Sequence, residues 1–265
     1  MPKGTKIGHT GTLDPLASGL LVLLVGRATR LSRYVATLHK TYTATASFGA
    51  VSDTLDADGK IMVLENPPMP DEAALRAATK RFMGTLHQTP PMASAVKVKG
   101  ERLYKAHRRG ENVERKSRLI TVHSLILENL DPAKKTATFT VTCSSGTYVR
   151  ALISDLAASI GTGAYLTALR RTQVGHLKLE NASAPEELTP ETVQHHIIQA
   201  VDVVAHLPAV EVLGRERSLI CNGHALAAFG VEGSYRVEAG GELLAIYGEE
   251  EGARKARAEV VLCVG

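Results

Sequence analysis

Apolar residues recur along the chain with two periods, one typical of helices and one typical of strands. Residues 28–38 place Leu31, Val35 and Leu38 at helical intervals, which predicts a helix. The alternation of β-forming residues over 41–49 predicts a strand. A short, continuous apolar run at 19–26 predicts a buried strand. Further strands are predicted at 60–65, 119–129 and 136–143, and further helices at 70–84, 101–110 and 147–161.

These elements define a fold class and a domain division. Helices and strands are interspersed without regular alternation, which predicts an α+β fold rather than a doubly wound parallel sheet. The composition changes near Leu207 and Pro208, where short apolar runs punctuated by glycines begin. That spacing is typical of a small β-rich domain. We therefore expect one domain over residues 1–205 and a second over 206–265.

The composition is that of a globular protein rather than a membrane or exported one. With 265 residues and 44% hydrophobic content, the chain can bury one large core or two unequal ones. No apolar run approaches the roughly 18 residues of a membrane span, and the N-terminus lacks an apolar signal core. We expect a cytoplasmic protein with no membrane partner. Free buried thiols, rather than a disulfide or a zinc site, are expected for Cys143, Cys221 and Cys263.

Positive charge is concentrated in residues 97–118, here called the basic segment. It holds nine lysines and arginines against three acids, and this surplus exceeds the net charge of +4 of the whole chain. A solvated helix face is the alternative. The segment lacks the alternating signs of a self-paired surface, which favours contacts with phosphates. The basic residues are Lys97, Lys99, Arg102, Lys105, Arg108, Arg109, Arg115, Lys116 and Arg118.

Candidate chemistry centres on Asp14, which lies in the glycine-rich stretch I-G-H-T-G-T-L-D-P-L-A-S-G at residues 7–19. The stretch matches neither a P-loop nor a dinucleotide-binding loop. A second stretch, at 54–65, resembles a calcium-binding loop, but Thr54 stands where the first carboxylate should be and its flanks are predicted strands. No metal site is expected. Either Asp14 is an ordinary turn residue before Pro15, or it is the carboxylate of a cofactor-free reaction.

Six sequence blocks decide between these interpretations. They are G-H-T-G-T-L-D-P-L-A-S-G-L-L at 8–21, H-K-T-Y-T-A-T at 39–45, D-T-L-D-A-D-G at 53–59, Q-T-P-P-M-A-S-A-V-K-V-K-G-E-R-L-Y at 88–104, S-S-G-T-Y-V-R at 144–150 and L-R-R-T at 169–172. In this order they resemble the bacterial tRNA pseudouridine-55 synthase (TruB) family. A single such block is weak evidence, whereas six in order are specific.

The resemblance implies a fold and an activity. The fold would be a mixed, mainly antiparallel sheet of the pseudouridine-synthase type with flanking helices, followed by a small PUA-like RNA-binding domain. The activity would be isomerisation of uridine to pseudouridine at position 55 in the T-loop of tRNA, by base flipping and an aspartate-dependent mechanism. No cofactor would be required. The partner would be the T-arm of tRNA, with no protein partner required and the enzyme a monomer.

The resemblance also implies roles for individual residues. Asp14, Tyr42 and Arg150 would be catalytic, with Tyr42 stacking on the target uracil and Arg150 pairing with Asp14. Tyr148 and Leu169 would line the pocket and His9 would contact the flipped nucleotide. On local sequence alone, Tyr42 also fits a core aromatic and His9 a turn residue. Residues 88–118 would form an RNA-gripping insertion whose backbone contacts come from Lys97, Lys99, Arg102, Lys105, Arg108 and Arg109.

The chain departs from the family pattern at two places. The family normally begins with a strand carrying D-K-P-x-G-x-T-S, whereas Met1 here stands almost directly before the Asp14 loop, and Ala93 replaces an aromatic residue. A shortened N-terminus leaves open a non-catalytic tRNA-binding or tRNA-folding protein. A guide-RNA-directed synthase of the archaeal type is the third interpretation, which the basic insertion disfavours.

Overall fold

The computed structural model describes residues 4–98 and 100–263 of the chain. Its strands are β1 (Ile7–His9), β2 (Ala17–Gly19), β3 (Leu23–Val25), β4 (Lys40–Phe48), β5 (Ala50–Ser52), β6 (Ile61–Val63), β7 (Gly84–Gln88), β8 (Lys97–Val98), β9 (Glu101–Arg102), β10 (Arg118–Asp131), β11 (Thr136–Cys143), β12 (Ala164–Val174), β13 (Leu177–Lys178), β14 (Ala209–Glu211), β15 (Leu226–Ala227), β16 (Gly233–Ala239), β17 (Glu242–Glu249) and β18 (Lys255–Val261). Its α-helices are α1 (Ser32–Ala36), α2 (Glu72–Arg81), α3 (Leu103–Arg108), α4 (Val149–Ser159), α5 (Ala200–Val203) and α6 (Arg217–Cys221). Short 3₁₀ helices cover Gly26–Leu31, Leu179–Asn181, Pro185–Glu187, Val193–His196 and Gly214–Glu216.

A seven-stranded sheet organises the first two thirds of the chain. Its strand order is β13–β12–β4–β11–β10–β7, with β2 also paired to β12. Every pairing is antiparallel except that of β2 with β12. The expected α+β fold with a mainly antiparallel sheet is thus confirmed. Of the helices in the described part of the chain, none is long and apolar enough to cross a membrane.

Two helices cover one face of this sheet and close its core. On α2, the Asp71 side chain accepts a hydrogen bond from the Ala74 N–H at 2.6 Å and so caps the first turn. On α4, Leu152 and Leu156 are buried in the cluster that also contains Phe139 of β11. Alternate residues of β4 and β11 face this cluster, as expected for strands with one buried face. The core therefore lies between the sheet and the two helices.

The strand β12 was not predicted from the sequence. Its burial alternates irregularly, and Arg171, although charged, is only 3% exposed. In the β12–β4 register, Leu169 lies opposite Ala44 and Arg171 opposite Tyr42. The strand thus brings two further side chains beside Tyr42.

The prediction of one continuously buried strand at 19–26 is wrong. The structure divides this run into the end of β2 and the separate strand β3. Leu20, Val22 and Leu24 are buried, whereas Leu21 and Leu23 are 41% and 51% exposed. This alternation shows that β3 buries one face and leaves the other open.

The C-terminal part of the chain forms a second sheet, with strand order β14–β16–β17–β18–β15. It packs against the first part through a shared apolar cluster in which Leu243, Ile246 and Val260 meet Leu20 and Val22. Two arginines of the 3₁₀ segment that precedes α1 reinforce this contact. Arg27 Nη1 donates to the Cys263 carbonyl at 2.8 Å, and Arg30 Nη1 donates to the Val261 carbonyl at 2.7 Å.

The expectation of three free thiols is wrong for two of them. Cys221, at the end of α6, and Cys263, just beyond β18, form a disulfide with Cα atoms 5.3 Å apart. They are separated by 42 residues in sequence, so only the packing of α6 against the second sheet brings them together. Cys143 is free and buried, as expected.

Candidate active site

Asp14 lies in the loop between β1 and β2, and this loop is fixed by a buried arginine of β12. Arg171 Nε donates to the Leu20 carbonyl at 2.7 Å, and Arg171 Nη2 donates to the Gly11 carbonyl at 3.1 Å. Gly19 closes the far end with a φ of +97°, and a Cβ there would come within 2.3 Å of the Arg171 carbonyl oxygen. Only glycine satisfies both constraints. The glycine-rich sequence therefore encodes a loop braced against a strand rather than a freely exposed turn.

Arg150, on the first turn of α4, holds the Asp14 carboxylate in place. Its Nε donates to Asp14 Oδ2 at 2.8 Å, and its Nη1 lies 3.1 Å from Asp56 Oδ2. Nη1 also donates to the Thr54 carbonyl at 2.6 Å, and Nη2 donates to the Ala93 carbonyl at 3.0 Å. The Arg150 side chain is 3% exposed and that of Asp56 is 4% exposed, whereas that of Asp14 is 31% exposed. The guanidinium thus bridges a buried carboxylate and a solvent-accessible one.

Asp56 belongs to the stretch that resembled a calcium loop, and sequence reasoning missed its role. Its Oδ1 accepts hydrogen bonds from the Thr54 hydroxyl at 2.6 Å and from the Asp58 N–H at 3.2 Å. The Ala57 N–H donates to the Leu166 carbonyl of β12 at 2.8 Å and so attaches the loop to the sheet. Asp56 therefore serves as the buried counter-ion of Arg150. The signal was the D-T-L-D-A-D-G block itself, whose aspartates were weighed only as metal ligands.

A cavity of about 230 Å³ opens beside Asp14. Its walls come from residues 10–14, from β4, from residues 146–149 and from β12. The structure brings Asp14, Tyr42, Tyr148 and Leu169 together in this lining. His9 is exposed on β1 and, like Arg150, is not among the described residues that line the cavity.

Two titratable groups in the cavity wall have shifted pKa values. Burial raises the pKa of the Tyr42 hydroxyl above its ordinary value. Burial, and then the nearby positive charge of Arg171, lower the pKa of Lys40 from 10.5 to about 8. The Lys40 ammonium nonetheless donates to the Ala36 and Leu38 carbonyls. The cavity wall thus contains the neutral phenol of Tyr42 and the carboxylate of Asp14, which pairs with Arg150.

The basic segment projects from the sheet as a short hairpin and a helix. Lys97 lies on β8, Arg102 on β9, and Lys105 and Arg108 on α3, all of them exposed. Lys99 lies outside the described residues. The 88–118 insertion, which contains this segment, is joined to the site directly, because Arg150 donates to the Ala93 carbonyl.

The expectation that this segment is not self-paired is wrong for Arg109. Its guanidinium donates two hydrogen bonds to Glu101, at 2.7 and 2.8 Å, and two to Glu111, at 2.7 and 2.9 Å. The acids are eight residues before it and two after it, a spacing that does not follow a helix period and so went unnoticed. A phosphate contact by Arg109 stays a prediction, but it would compete with two carboxylates.

Two solved structures of multi-component complexes contain chains with the same fold. A chain in the crystal structure of a Cbf5–Nop10–Gar1 complex superposes with a TM-score of 0.73 at 23% identity, covering 97% of this chain and 76% of that one. A chain in the structure of an H/ACA RNP bound to a substrate RNA containing 2′-deoxyuridine gives a TM-score of 0.71 at 22% identity, covering 98% and 76%. At these identities the likeness establishes the fold alone.

Sequence comparison gives the family. Residues 1–149 match the model described as TruB family pseudouridylate synthase (N terminal domain). The tRNA pseudouridine synthase B of Thermobifida fusca is 42% identical over 234 residues, 86% of this chain and 79% of that protein. That of an Azoarcus species is 41% identical over 245 residues, 91% of this chain and 81% of that protein. The chain belongs to the TruB family of pseudouridylate synthases.

Proposed function

We propose that this protein isomerises uridine to pseudouridine at position 55 in the T-loop of tRNA. The names of its relatives support tRNA as the substrate. The observation that carries the assignment is the position of Asp14. Its carboxylate is 31% exposed beside a small cavity, while the guanidinium that holds it is 3% exposed.

The reaction breaks the N1–C1′ glycosidic bond, turns the base and forms a C5–C1′ bond. The proton on C5 is lost and N1 gains one, so atoms and electrons balance without an oxidant or a cofactor. Asp14 supplies the carboxylate beside the sugar and base. The Arg150 guanidinium donates to this carboxylate and fixes its direction. Tyr42 remains protonated, stacks on the uracil and takes part in proton transfer.

The target base must leave its stack to reach this cavity, at a cost of a few kcal/mol. A cavity of about 230 Å³ suits a single base rather than a larger ligand. Tyr148 and Leu169 enclose the base, and His9 contacts the nucleotide or its neighbours from the rim. Phosphate contacts from Lys97, Lys99, Arg102, Lys105 and Arg108 offset part of the flipping cost.

We assign catalysis to residues 1–205 and an accessory RNA contact to the β-rich residues 206–265. The T-arm of tRNA is the partner, and a single copy of the chain supplies every group named above. The five-stranded C-terminal sheet supports this division.

The test is tritium release from tRNA that carries 5-³H-uridine. The wild-type chain should release tritium, and Asp14→Asn should release essentially none while retaining tRNA binding. A tRNA with cytidine at position 55 should also yield no release, which tests the position independently. Release from the Asp14→Asn variant would refute the catalytic assignment.

A further inference from the structure

The root of the 88–118 insertion, which contains the basic segment, contacts the cavity wall directly. The connection between β7 and β10 spans residues 89–117, and the two strands pair with Gln88 opposite Arg118. These two residues therefore stand side by side where the segment leaves the sheet. Both contact Tyr148, which lines the cavity beside Asp14.

Gln88 holds the backbone of Tyr148 from both sides. Its Oε1 accepts the Tyr148 N–H at 2.8 Å, and its Nε2 donates to the Tyr148 carbonyl at 3.0 Å. Gln88 is 2% exposed, so neither bond competes with solvent. Tyr148 is the N-cap residue of α4, and Arg150 is the second residue of that helix. The two hydrogen bonds therefore fix the start of the helix that carries the guanidinium.

Arg118 holds the side chain of the same residue. Its guanidinium carbon lies 5.0 Å from the centroid of the Tyr148 ring, within the range of an attractive cation–π contact. Its Nη2 donates to the carbonyl of Gly146, two residues before Tyr148. The guanidinium is thus anchored to the loop that it covers. One residue at the root fixes the backbone of Tyr148 and the other fixes its ring.

We propose that Gln88 and Arg118 are positioning residues. They set the orientation of Tyr148 and of the first turn of α4, so that the segment gripping RNA and the wall of the cavity move as one unit. When RNA binding displaces the segment, the displacement is transmitted to the cavity through these two side chains. The catalytic consequence rests on the proposed function, whereas the contact itself can be measured without RNA.

The contact is tested by amide hydrogen exchange on the full chain in the absence of RNA. In Gln88→Leu, which is apolar and of similar volume, the Tyr148 amide should exchange at least tenfold faster than in wild type. Amides of β11 serve as internal references and should change less than twofold, which separates a local effect from global destabilisation. His87→Ala, an exposed neighbour on the same strand, is the matched control and should leave the Tyr148 amide unchanged.

The consequence is tested by single-turnover tritium release alongside RNA affinity. Gln88→Leu should slow release at least tenfold while Kd changes less than twofold. Arg118→Lys keeps the positive charge but not the planar guanidinium, so it should be as slow as Arg118→Ala. A simple phosphate contact would instead be restored by lysine.

Two results would overturn the proposal. One is an unchanged Tyr148 amide in Gln88→Leu, and the other is full single-turnover rates in both Gln88→Leu and Arg118→Lys. A wild-type chain that releases no tritium would instead refute the proposed function, and the exchange measurement would still decide whether Gln88 fixes Tyr148.

Discussion

The Arg150 guanidinium and the Asp56 carboxylate form an ion pair that is almost completely removed from water, with Nη1 and Oδ2 3.1 Å apart. Burying two charges is costly, and it is offset here because the guanidinium also bonds Asp14 and two backbone carbonyls. Asp56 therefore restrains Arg150 from behind, and Arg150 in turn presents Asp14 to the cavity.

Neutralising Asp56 should destabilise the protein and slow the reaction. Removing one partner of a buried ion pair costs about 3–5 kcal/mol when the remaining charge is left without a counter-ion. Arg150 keeps Asp14 as a counter-ion, so we expect Asp56→Asn to lower the free energy of unfolding in urea by less than about 3 kcal/mol. Single-turnover tritium release should fall with it, since Arg150 is then free to tilt. Asp58→Asn, an exposed aspartate two residues away, is the control, and equal behaviour of the two variants would contradict the assignment.

Removing the Tyr42 hydroxyl should affect turnover and spare binding. Positioned proton transfer contributes roughly 10²–10⁴-fold to a rate, so Tyr42→Phe should slow single-turnover release within that range. The retained ring should keep the RNA Kd within about twofold of wild type. Because burial raises the pKa of Tyr42, ionisation of this hydroxyl should not reduce the wild-type rate between about pH 7 and 9. A full rate in the phenylalanine variant would show that the hydroxyl takes no part.

Lys40 should make stability depend on pH in the alkaline range. The native state releases this proton at about pH 8, whereas the unfolded chain holds it until about 10.5. Between these values the unfolded state binds more protons, so the contribution of Lys40 to stability rises with pH. The unfolding free energy of wild type minus that of Lys40→Met should therefore increase from pH 8 to 10.5. Cys143, its register partner, has a pKa raised by burial from 9.0 to about 11, so its own contribution to stability falls with pH above about 9. Both proteins contain Cys143, so this contribution cancels in their difference.

The exposed Lys60 offers the matched control for this measurement. The difference in unfolding free energy between wild type and Lys60→Met should stay constant from about pH 8 to 10.5. A difference between wild type and Lys40→Met that stays constant or falls as pH rises would contradict the prediction.

Affinity for tRNA should fall as salt concentration rises. Individual lysines and arginines should contribute to this salt dependence to different extents. Each phosphate contact contributes roughly 0.7–0.9 to the slope of log affinity against log salt. Lys105→Gln should reduce the slope by about that amount. Arg109→Gln should reduce it less, because Glu101 and Glu111 already neutralise that guanidinium. Slopes from binding titrations between about 50 and 200 mM salt would check this, and equal slopes for the two variants would contradict it.

Local patterns predicted much of the fold, and the ordered blocks predicted the family. The helix α2 carries its own signal in its capping residue Asp71, α4 in its apolar periodicity and β4 in its alternation. The strand β12 carries none, because a charged residue such as Arg171 becomes buried only when distant loops supply acceptors for it.

Within the site, local sequence pointed only to Asp14, whereas Tyr42, Tyr148, Arg150 and Leu169 were predicted through the family resemblance. Asp14 is marked by the glycines and the proline around it. The role of Asp56 depends on Arg150, which is 94 residues away, and so no local pattern reveals it. The pairing of Cys221 with Cys263, 42 residues apart, is hidden for the same reason. The pairing of Arg109 with Glu101 and Glu111 is local in sequence, but its spacing follows no helix period.

The apolar cluster shared by the two sheets limits how the protein can be dissected. Leu243, Ile246 and Val260 belong to the same buried cluster as Leu20 and Val22, which directly follow the Asp14 loop and β2. A fragment ending before the second sheet would expose Leu20 and Val22 to solvent, and the Asp14 loop would lose the packing of the residues that follow it. The second sheet thus stabilises the part of the chain that carries the Asp14 loop, and a substitution that disrupts the shared cluster on either side would destabilise both.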